Sequence, residues 1–343
     1  MNQPQSYRSQ ILPVRERISR PLWSVMIPTY NCAHYLRETL KSVLAQDLGS
    51  EHMQIEVIDD FSTLDDPEAV VEEVSKGRVS FYRQPKNLGH IGNFNTCIQR
   101  SKGHLVHLLH GDDCVRPSFY QKLQSAFVEN PDIGAAFCRD IAIDESGHWQ
   151  WFMNLQQSES GILENWIRKI AVFNRLNPPS MVVRRDVYEQ FGGFDSRIIC
   201  FAEDWEMWVR IAANYPVWYE VEPLSLYRIH TNSLTTRGVI TGQNIRDVRK
   251  ILEITQEYLP TSILDELSNK AKENWAIYAL NKAREMLGAD KLEAASIQIK
   301  EGLKCSTSKK VLKEAITLNL QIIKCRIKRN LKKRSNFPDR EFV

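Results

Sequence analysis

Two carboxylates, Asp112 and Asp113, stand side by side where the apolar run HLVHLLH breaks at Gly111. Such a pair is unfavourable beside a buried strand unless a positive charge or a hydrogen-bond donor offsets repulsion and desolvation. A hard divalent cation meets that need, because Mg2+ is commonly held by one or two carboxylates together with substrate phosphates. GDDC therefore reads as a place where a metal joins the protein to a phosphate ester. Asp59 and Asp60 in VIDDFSTLDD repeat the pattern, and Glu203 and Asp204 open the segment EDWEMWVR. Each pair has a plainer alternative. Asp112 and Asp113 could cap a helix beginning at Pro117, Asp59 and Asp60 could be turn residues, and Glu203 and Asp204 could be first-turn acids facing a helix dipole.

The segments around these residues alternate in period. WSVMIP, QIEVID, RVSFYRQ and HLVHLLH read as strands; AHYLRETLKSVLAQD, PEAVVEEVSKG and HIGNFNTCIQRSKG between them read as helices, the first with Asn31 as its N-cap. That alternation from Trp23 to His110 predicts βαβ units, hence an α/β fold with a mostly parallel central sheet. Ligands of such sheets bind beyond the C-terminal strand ends. PTYN, Asp59-Asp60, PKNLGH and GDDC all fall there, and together they predict a polar, acidic pocket. Further on, PDIGAAFCRDIAID reads as a strand, ILENWIRKIAVFN as a helix, PPSMVVRRDVYEQFGGFD as strand, helix and turn, EDWEMWVRIAANYP as a helix and PLSLYRIHTNSLT as a strand. From about Gly242 onward every segment is helix-like. The expected organisation is a polar, loose leader (1–21), an α/β domain (22–240) and a C-terminal helical appendage with a basic tail (241–343).

The motifs VMIPTYN, VIDDFSTLDD, NLGHIGNFNTCI, LLHGDDC, GGFD, AEDWEMWVR and YRIHTNS occur in this order. Their order and spacing resemble family 2 glycosyltransferases with the Rossmann-like glycosyltransferase-A fold, over roughly residues 23–235. The resemblance implies an inverting transfer of a sugar from a nucleotide-diphospho-sugar, a UDP-sugar by expectation, to an acceptor hydroxyl in cell-surface polysaccharide or glycan synthesis. It implies Mg2+ or Mn2+ as cofactor, and a glycan or a lipid-linked molecule as acceptor. Carried over residue by residue, it gives Pro28, Thr29, Tyr30, Asp59 and Asp60 to the base and ribose, and Asn87 and Gly89 to the nucleotide-side loop. Asp112 and Asp113 match the family's DxD-type motif, although this sequence has GDD; Asp113 becomes the direct metal ligand, with His230 approaching the metal or diphosphate. Asp204 matches the catalytic base. Gly192, Gly193, Phe194, Asp195, Glu203 and Arg228 fall on the donor and acceptor side. Asn93 stands where many members carry arginine. No catalytic role is given to His90, His107 or His110.

A nucleotidyltransferase would also use a parallel sheet, acids and Mg2+, but PTYNCAHY lacks a Gly-rich, basic phosphate loop. A non-catalytic binding protein on a degenerate fold is the third class, and retention of Asp113, Asp204 and His230 argues against it. The chain has 343 residues, 43% hydrophobic and 25% charged, and a net charge of +3, ordinary values for a water-soluble globular chain. Seven cysteines without a CxxC pair argue against a disulfide framework or a zinc finger. The leader has no apolar stretch of signal-peptide length, and no run reaches the ~18 apolar residues of a membrane span. The expectation is a cytoplasmic protein. From Lys309 the sequence is strongly basic, and Ile316, Leu320, Ile323 and Ile327 share one helical face. That pattern raises peripheral contact with an anionic membrane at its inner face, against the plainer alternative of a packed helix with a solvated basic end. Nucleic acid is not expected, because no aromatic residue interleaves the basic cluster.

Overall fold

The computed structural model describes residues 7–15, 19–230 and 234–335, with side chains as far as residue 329. Residues 1–6 and 16–18 of the leader, Thr231 to Ser233, and the tail side chains Lys332, Lys333 and Arg334 lie outside the described set. In chain order the first half comprises β1 (Trp23–Thr29), α1 (Ala33–Leu44), β2 (Met53–Asp59), α2 (Pro67–Ser75), β3 (Ser80–Arg83), α3 (Gly89–Arg100), β4 (Leu105–Leu108), β5 (Cys114–Val115), α4 (Phe119–Glu129) and β6 (Ala135–Ile143). Then come β7 (Trp149–Phe152), β8 (Gly161–Ile162), α5 (Trp166–Ile170), a 3-10 turn at Pro178–Ser180, β9 (Met181–Arg184), α6 (Arg185–Phe191), α7 (Glu203–Ala212) and β10 (Val217–Arg228). The C-terminal helices are α8 (Leu234–Thr241), α9 (Gln243–Thr255), α10 (Thr261–Gly288), α11 (Leu292–Cys305) and α12 (Lys309–Ser335).

The sheet runs β3-β2-β1-β4-β9-β6-β10-β5, with β7 on the edge of β6 and β8 on β10. β3, β2, β1 and β4 are parallel, the Rossmann-like order in which the crevice opens between β1 and β4. β9 is antiparallel to both β4 and β6, so β6 and its parallel neighbour β10 run the same way as β1. The C-terminal ends of β1, β2, β3, β4, β6 and β10 therefore share one rim, and the start of β9 reaches it from the opposite direction. The expectation of an α/β, mostly parallel sheet holds. The short antiparallel insertion of β9 was not foreseen.

Alternation along the strands sets the two faces. Trp23, Val25 and Ile27 of β1 face α1 and α4, in a core with Leu36, Leu40 and Leu123. Met26 points the other way, into a larger core shared by α3, α6, α7, α9 and α10. Trp275 of α10 packs against Trp205 of α7 (ring centroids 5.0 Å) and Phe173 (4.5 Å). The helical region after residue 240 thus continues the core under α7 before building its own around Ala276, Ala279, Ile299 and Leu318.

Three local expectations are corrected. The leader is not loose where it is described: Ile11 is buried in the large core, Arg8 pairs with Glu206 at 3.3 Å, and Gly193 donates its N–H to the Ser9 carbonyl. ILENWIRKIAVFN is helical only at Trp166–Ile170, because its ends are drawn into the β8 pairing and the Asn174 region. Asn31 is not the cap of α1. It sits at φ 51°, and its side chain accepts the Thr63 and Leu64 N–H groups instead.

Because Trp275 ties α10 to the underside of α7, Trp275→Ala should cost about 3–5 kcal/mol, the range for a large aromatic lost from a core. Urea unfolding measures this. A loss under about 1 kcal/mol would mean that α10 does not support α7.

Candidate active site

The acidic loop after β4 is stapled to β1. Leu109 N–H donates to the Met26 carbonyl and Gly111 N–H to the Pro28 carbonyl, both at 3.0 Å. The Thr39 hydroxyl of α1 donates to the Gly111 carbonyl at 3.1 Å. A side chain at Gly111 would meet Thr29 Oγ1 at 3.1 Å and Cys32 Sγ at 3.2 Å, a tight fit that its neighbours would have to yield to, so glycine eases the close approach of the loop. Asp112 and Asp113 emerge from that turn.

Arg228, the last residue of β10, organises them. Its backbone N–H donates to Asp113 Oδ1 at 2.8 Å. Its buried guanidinium donates to the carbonyls of Asp112, Asp144 and Glu145 and to Glu38 Oε2. Two residues on, His230 Nε2 lies 3.1 Å from Asp112 Oδ2. Arg228 thus acts as a brace beneath the loop rather than as an open donor-side contact. The carboxyls titrate apart. Burial opposes ionisation of Asp112, but the His230 hydrogen bond and the nearby His110 and His230 outweigh it and hold its pKa below the usual range. Burial and the Asp112 charge push Asp113 well up. The hydrogen bond to Asp112 raises His230.

Ligand-capable atoms of His110, Asp112 and Asp113 lie within 4.8 Å of one another. Among the described residues, Asp113 Oδ2 and His110 Nε2 are buried with no hydrogen-bond partner. An orphaned buried carboxylate oxygen within such a group fits a divalent cation. A mainly oxygen donor set with one imidazole suits Mg2+ or Mn2+. His110, given no role from the sequence, belongs to this group; its position two residues before Asp112 was the available signal.

The nucleotide-side residues split. Asp59 is fully buried, accepts from Ser62 N–H and Oγ, and pairs with Arg83 Nε at 2.8 Å, so its carboxylate is consumed in shaping the loop. Asp60 Oδ1 accepts the Leu88 N–H, and Asn87 spans the Asp60 carbonyl and the Gly89 N–H. Burial raises the Asp60 pKa. Pro28 and Thr29 are buried in β1, and Thr29 Oγ1 contacts Cys32 Sγ at 2.9 Å. Of the five residues expected at base and ribose, only Tyr30 keeps an open side chain, 49% exposed. Asn93 is buried, donating to the Ile58 carbonyl and accepting from Gln84.

Asp204 lies in the first turn of α7, entered through Ala202 at φ 61°, a strained conformation for alanine. Its Oδ2 accepts from Asn174 Nδ2 at 3.2 Å. Burial, then the adjacent Glu203 charge, raises its pKa to about 7. Burial opposes ionisation of Glu203 too, but His90, 3.6 Å away, outweighs it and keeps that carboxylate low. Asp204 shares a small pocket with His110, Phe94, Met181, Phe194 and Trp208. Burial raises the pKa of the Tyr227 hydroxyl, and the charges of Asp113, Asp112 and Asp204 add to that rise. His90 beside Glu203 and Asn174 on Asp204 are partners of this acid pair that sequence reasoning missed.

Gly192, Gly193 and Asp195 do not line this pocket. A side chain at Gly193 would strike Asn95 Oδ1 at 2.1 Å, and the glycine packs against Ser9. Asp195 is fully buried in ion pairs with Arg197 and Arg8. Of GGFD, only Phe194 reaches the pocket, because the docked N-terminal segment occupies the other side.

Residues 24–192 match the family model described as Glycosyl transferase family 2. An uncharacterized glycosyltransferase of Haemophilus influenzae is 27% identical over 246 residues, 67% of this chain and 72% of that one. The crystal structure of S. aureus TarS in complex with UDP-GlcNAc superposes with a TM-score of 0.57 at 18% identity, over 73% of this chain and 70% of that one. The mannosyltransferase PcManGT from Pyrobaculum calidifontis, in complex with GDP-Man and Mn2+, gives 0.54 at 14%, over 92% and 89%. At these identities the two structures establish the glycosyltransferase-A-like fold.

The Arg228 brace makes a specific demand. Arg228→Met keeps the backbone bond to Asp113 but removes the side-chain donor from the Asp112, Asp144 and Glu145 carbonyls, of which that of Asp144 keeps the Gly147 N–H and that of Glu145 belongs to an exposed residue. It should cost about 1–3 kcal/mol in urea unfolding, the range for one buried polar group left unsatisfied. A change under about 0.5 kcal/mol would show that the loop stands without it.

Proposed function

This chain is a family 2 glycosyltransferase, and we propose that it moves a sugar from a UDP-sugar to an acceptor hydroxyl with inversion at the anomeric carbon. The single observation that carries the reading is Asp204: a buried carboxyl raised to about 7, lining the same small pocket as His110, the histidine grouped with Asp112 and Asp113. A general base works best with a pKa near the working pH.

In this reading the nucleotide lies along the rim between β1 and β4, with Tyr30 open to the base and the Asp60–Asn87–Gly89 loop beside the ribose. Asp113 and His230, with Asp112 and His110 beside them, would hold Mg2+ or Mn2+, which supplies a positive charge against the leaving diphosphate. His230 pairs with Asp112 at 3.1 Å, so it stands at the loop before any donor arrives. Asp204 accepts the proton of the acceptor hydroxyl as that oxygen bonds to the anomeric carbon. The bond from that carbon to the diphosphate breaks, its electron pair leaves with the phosphate oxygen, and one displacement inverts the configuration. Glu203, held ionised by His90, keeps Asp204 basic and positions α7. The likeness to TarS bound to UDP-GlcNAc supports a uridine nucleotide, and the relative bound to Mn2+ supports a divalent ion. The acceptor is a glycan or a lipid-linked precursor in cell-surface polysaccharide synthesis. A similar Escherichia coli protein is a chondroitin synthase, of which this chain spans 30%.

The test is kinetic. A base with a pKa near 7 is protonated below that pH, so kcat/KM should rise about tenfold per pH unit below 7 and level off above it. Asp204→Asn should lower kcat by roughly 10²-fold or more, abolish that inflection, and leave donor affinity nearly unchanged. Near-normal transfer by Asp204→Asn, or an unchanged pH profile, would refute the assignment.

A further inference from the structure

α12 has two apolar faces, and only one of them is used. Val311, Ala315, Leu318 and Ile322 are buried in the core of the C-terminal helices. Roughly a third of a turn around the helix, Ile316, Leu320, Ile323 and Ile327 are 61%, 54%, 50% and 54% exposed, and Leu312 continues the row at 41%. These five fall within an arc of about 80° and a length of about 22 Å at helical spacing. Singly exposed hydrophobics are unremarkable, but a continuous row of them on a helix that already has a packed face marks a contact surface.

Charge identifies the occupant. Lys313 and Lys324 flank the row on its outer side, with Lys310 and Lys328 behind them. From Lys309 the sequence to Ser335 holds one acid, Glu314, and that acid is ion-paired to Arg284 of α10. Arg326 and Arg329 turn inward to Ser296 and Asp290, which fixes the end of α12 against α11 and the turn before it and keeps the apolar row facing outward. A second copy of the chain would bring two such basic helices together, at a cost in like-charge repulsion. Nucleic acid would meet the lysines but leave the aliphatic row in water. No helix of the described residues is long and apolar enough to cross a membrane.

We infer that α12 lies along the surface of an anionic lipid bilayer, with Leu312, Ile316, Leu320, Ile323 and Ile327 in the acyl boundary and the lysines among the headgroup phosphates. Apolar insertion and headgroup attraction act together in helices of this kind. The inference rests on α12 alone and stands independently of the donor and the mechanism.

Co-sedimentation of the full chain with vesicles tests it, using phosphatidylcholine alone and phosphatidylcholine with 30 mol% (roughly one lipid in three) phosphatidylglycerol. The protein should pellet with the anionic vesicles only, and bound protein should fall at least about threefold in high salt. The double variant Leu320→Glu, Ile323→Glu, on an exposed face, should lose binding at least about tenfold while keeping its circular dichroism and UDP affinity. Failure to pellet with anionic vesicles at low salt overturns the proposal, as does undiminished binding by the variant. A dimer in analytical ultracentrifugation that the variant abolishes also overturns it, assigning the row to a second copy.

Discussion

The site depends on one buried guanidinium. Asp112 and Asp113 are adjacent acids in a loop pressed against β1, and their repulsion would open the turn were it not bound from below. Arg228 binds it twice, through its backbone N–H on Asp113 and its side chain on the Asp112 carbonyl. The same guanidinium ties in the β6–β7 turn at Asp144 and Glu145 and reaches Glu38 on α1. Four segments distant in sequence are thereby held to one point. β10 can deliver Arg228 there because it runs parallel to β6 and ends on the same rim as β4.

The acid pairs are divided by their neighbours. His230 keeps Asp112 ionised while burial and Asp112 raise Asp113. His90 keeps Glu203 ionised while burial and Glu203 raise Asp204. In each pair one carboxyl is committed to a histidine and the other is left poised to take a proton or a cation. Environments that drive paired groups apart are how one fold assigns different roles to chemically identical side chains. Helix α7 carries the second pair, and the aromatic packing of Trp205 on Trp275 links its position to α10.

Much of this was legible from local pattern. Period-two and period-3.6 segments alternate cleanly up to His110, and a parallel sheet collects its strand ends on one rim, so GDD and VIDD could be placed without coordinates. What escaped the sequence depends on partners far along the chain. Asn31 has the composition of a helix cap, yet its amide goes to Thr63 and Leu64, on the loop after β2. Asp59 looked available, but Arg83 and Ser62 enclose it. Gly193 and Asp195 were turned from the pocket by Ser9 and Arg8, in a segment whose polar composition hides the buried Ile11. His110 was overlooked because an imidazole at the end of an apolar strand is ordinarily a packed side chain, and His110 does stack on Phe94; the orphaned Asp113 oxygen beside it is what makes it a candidate ligand.

The central claim is that the loop braced by Arg228 receives a nucleotide diphosphate through a divalent cation. Calorimetric titration of uridine diphosphate into the protein, with Mn2+ and again with a chelator, measures this directly. The account predicts affinity at least about tenfold higher with Mn2+, corresponding to about 1.4 kcal/mol, and loss of that difference in Asp113→Asn. Equal affinity in the two conditions, or an Asp113→Asn protein that retains the full metal dependence, would contradict it.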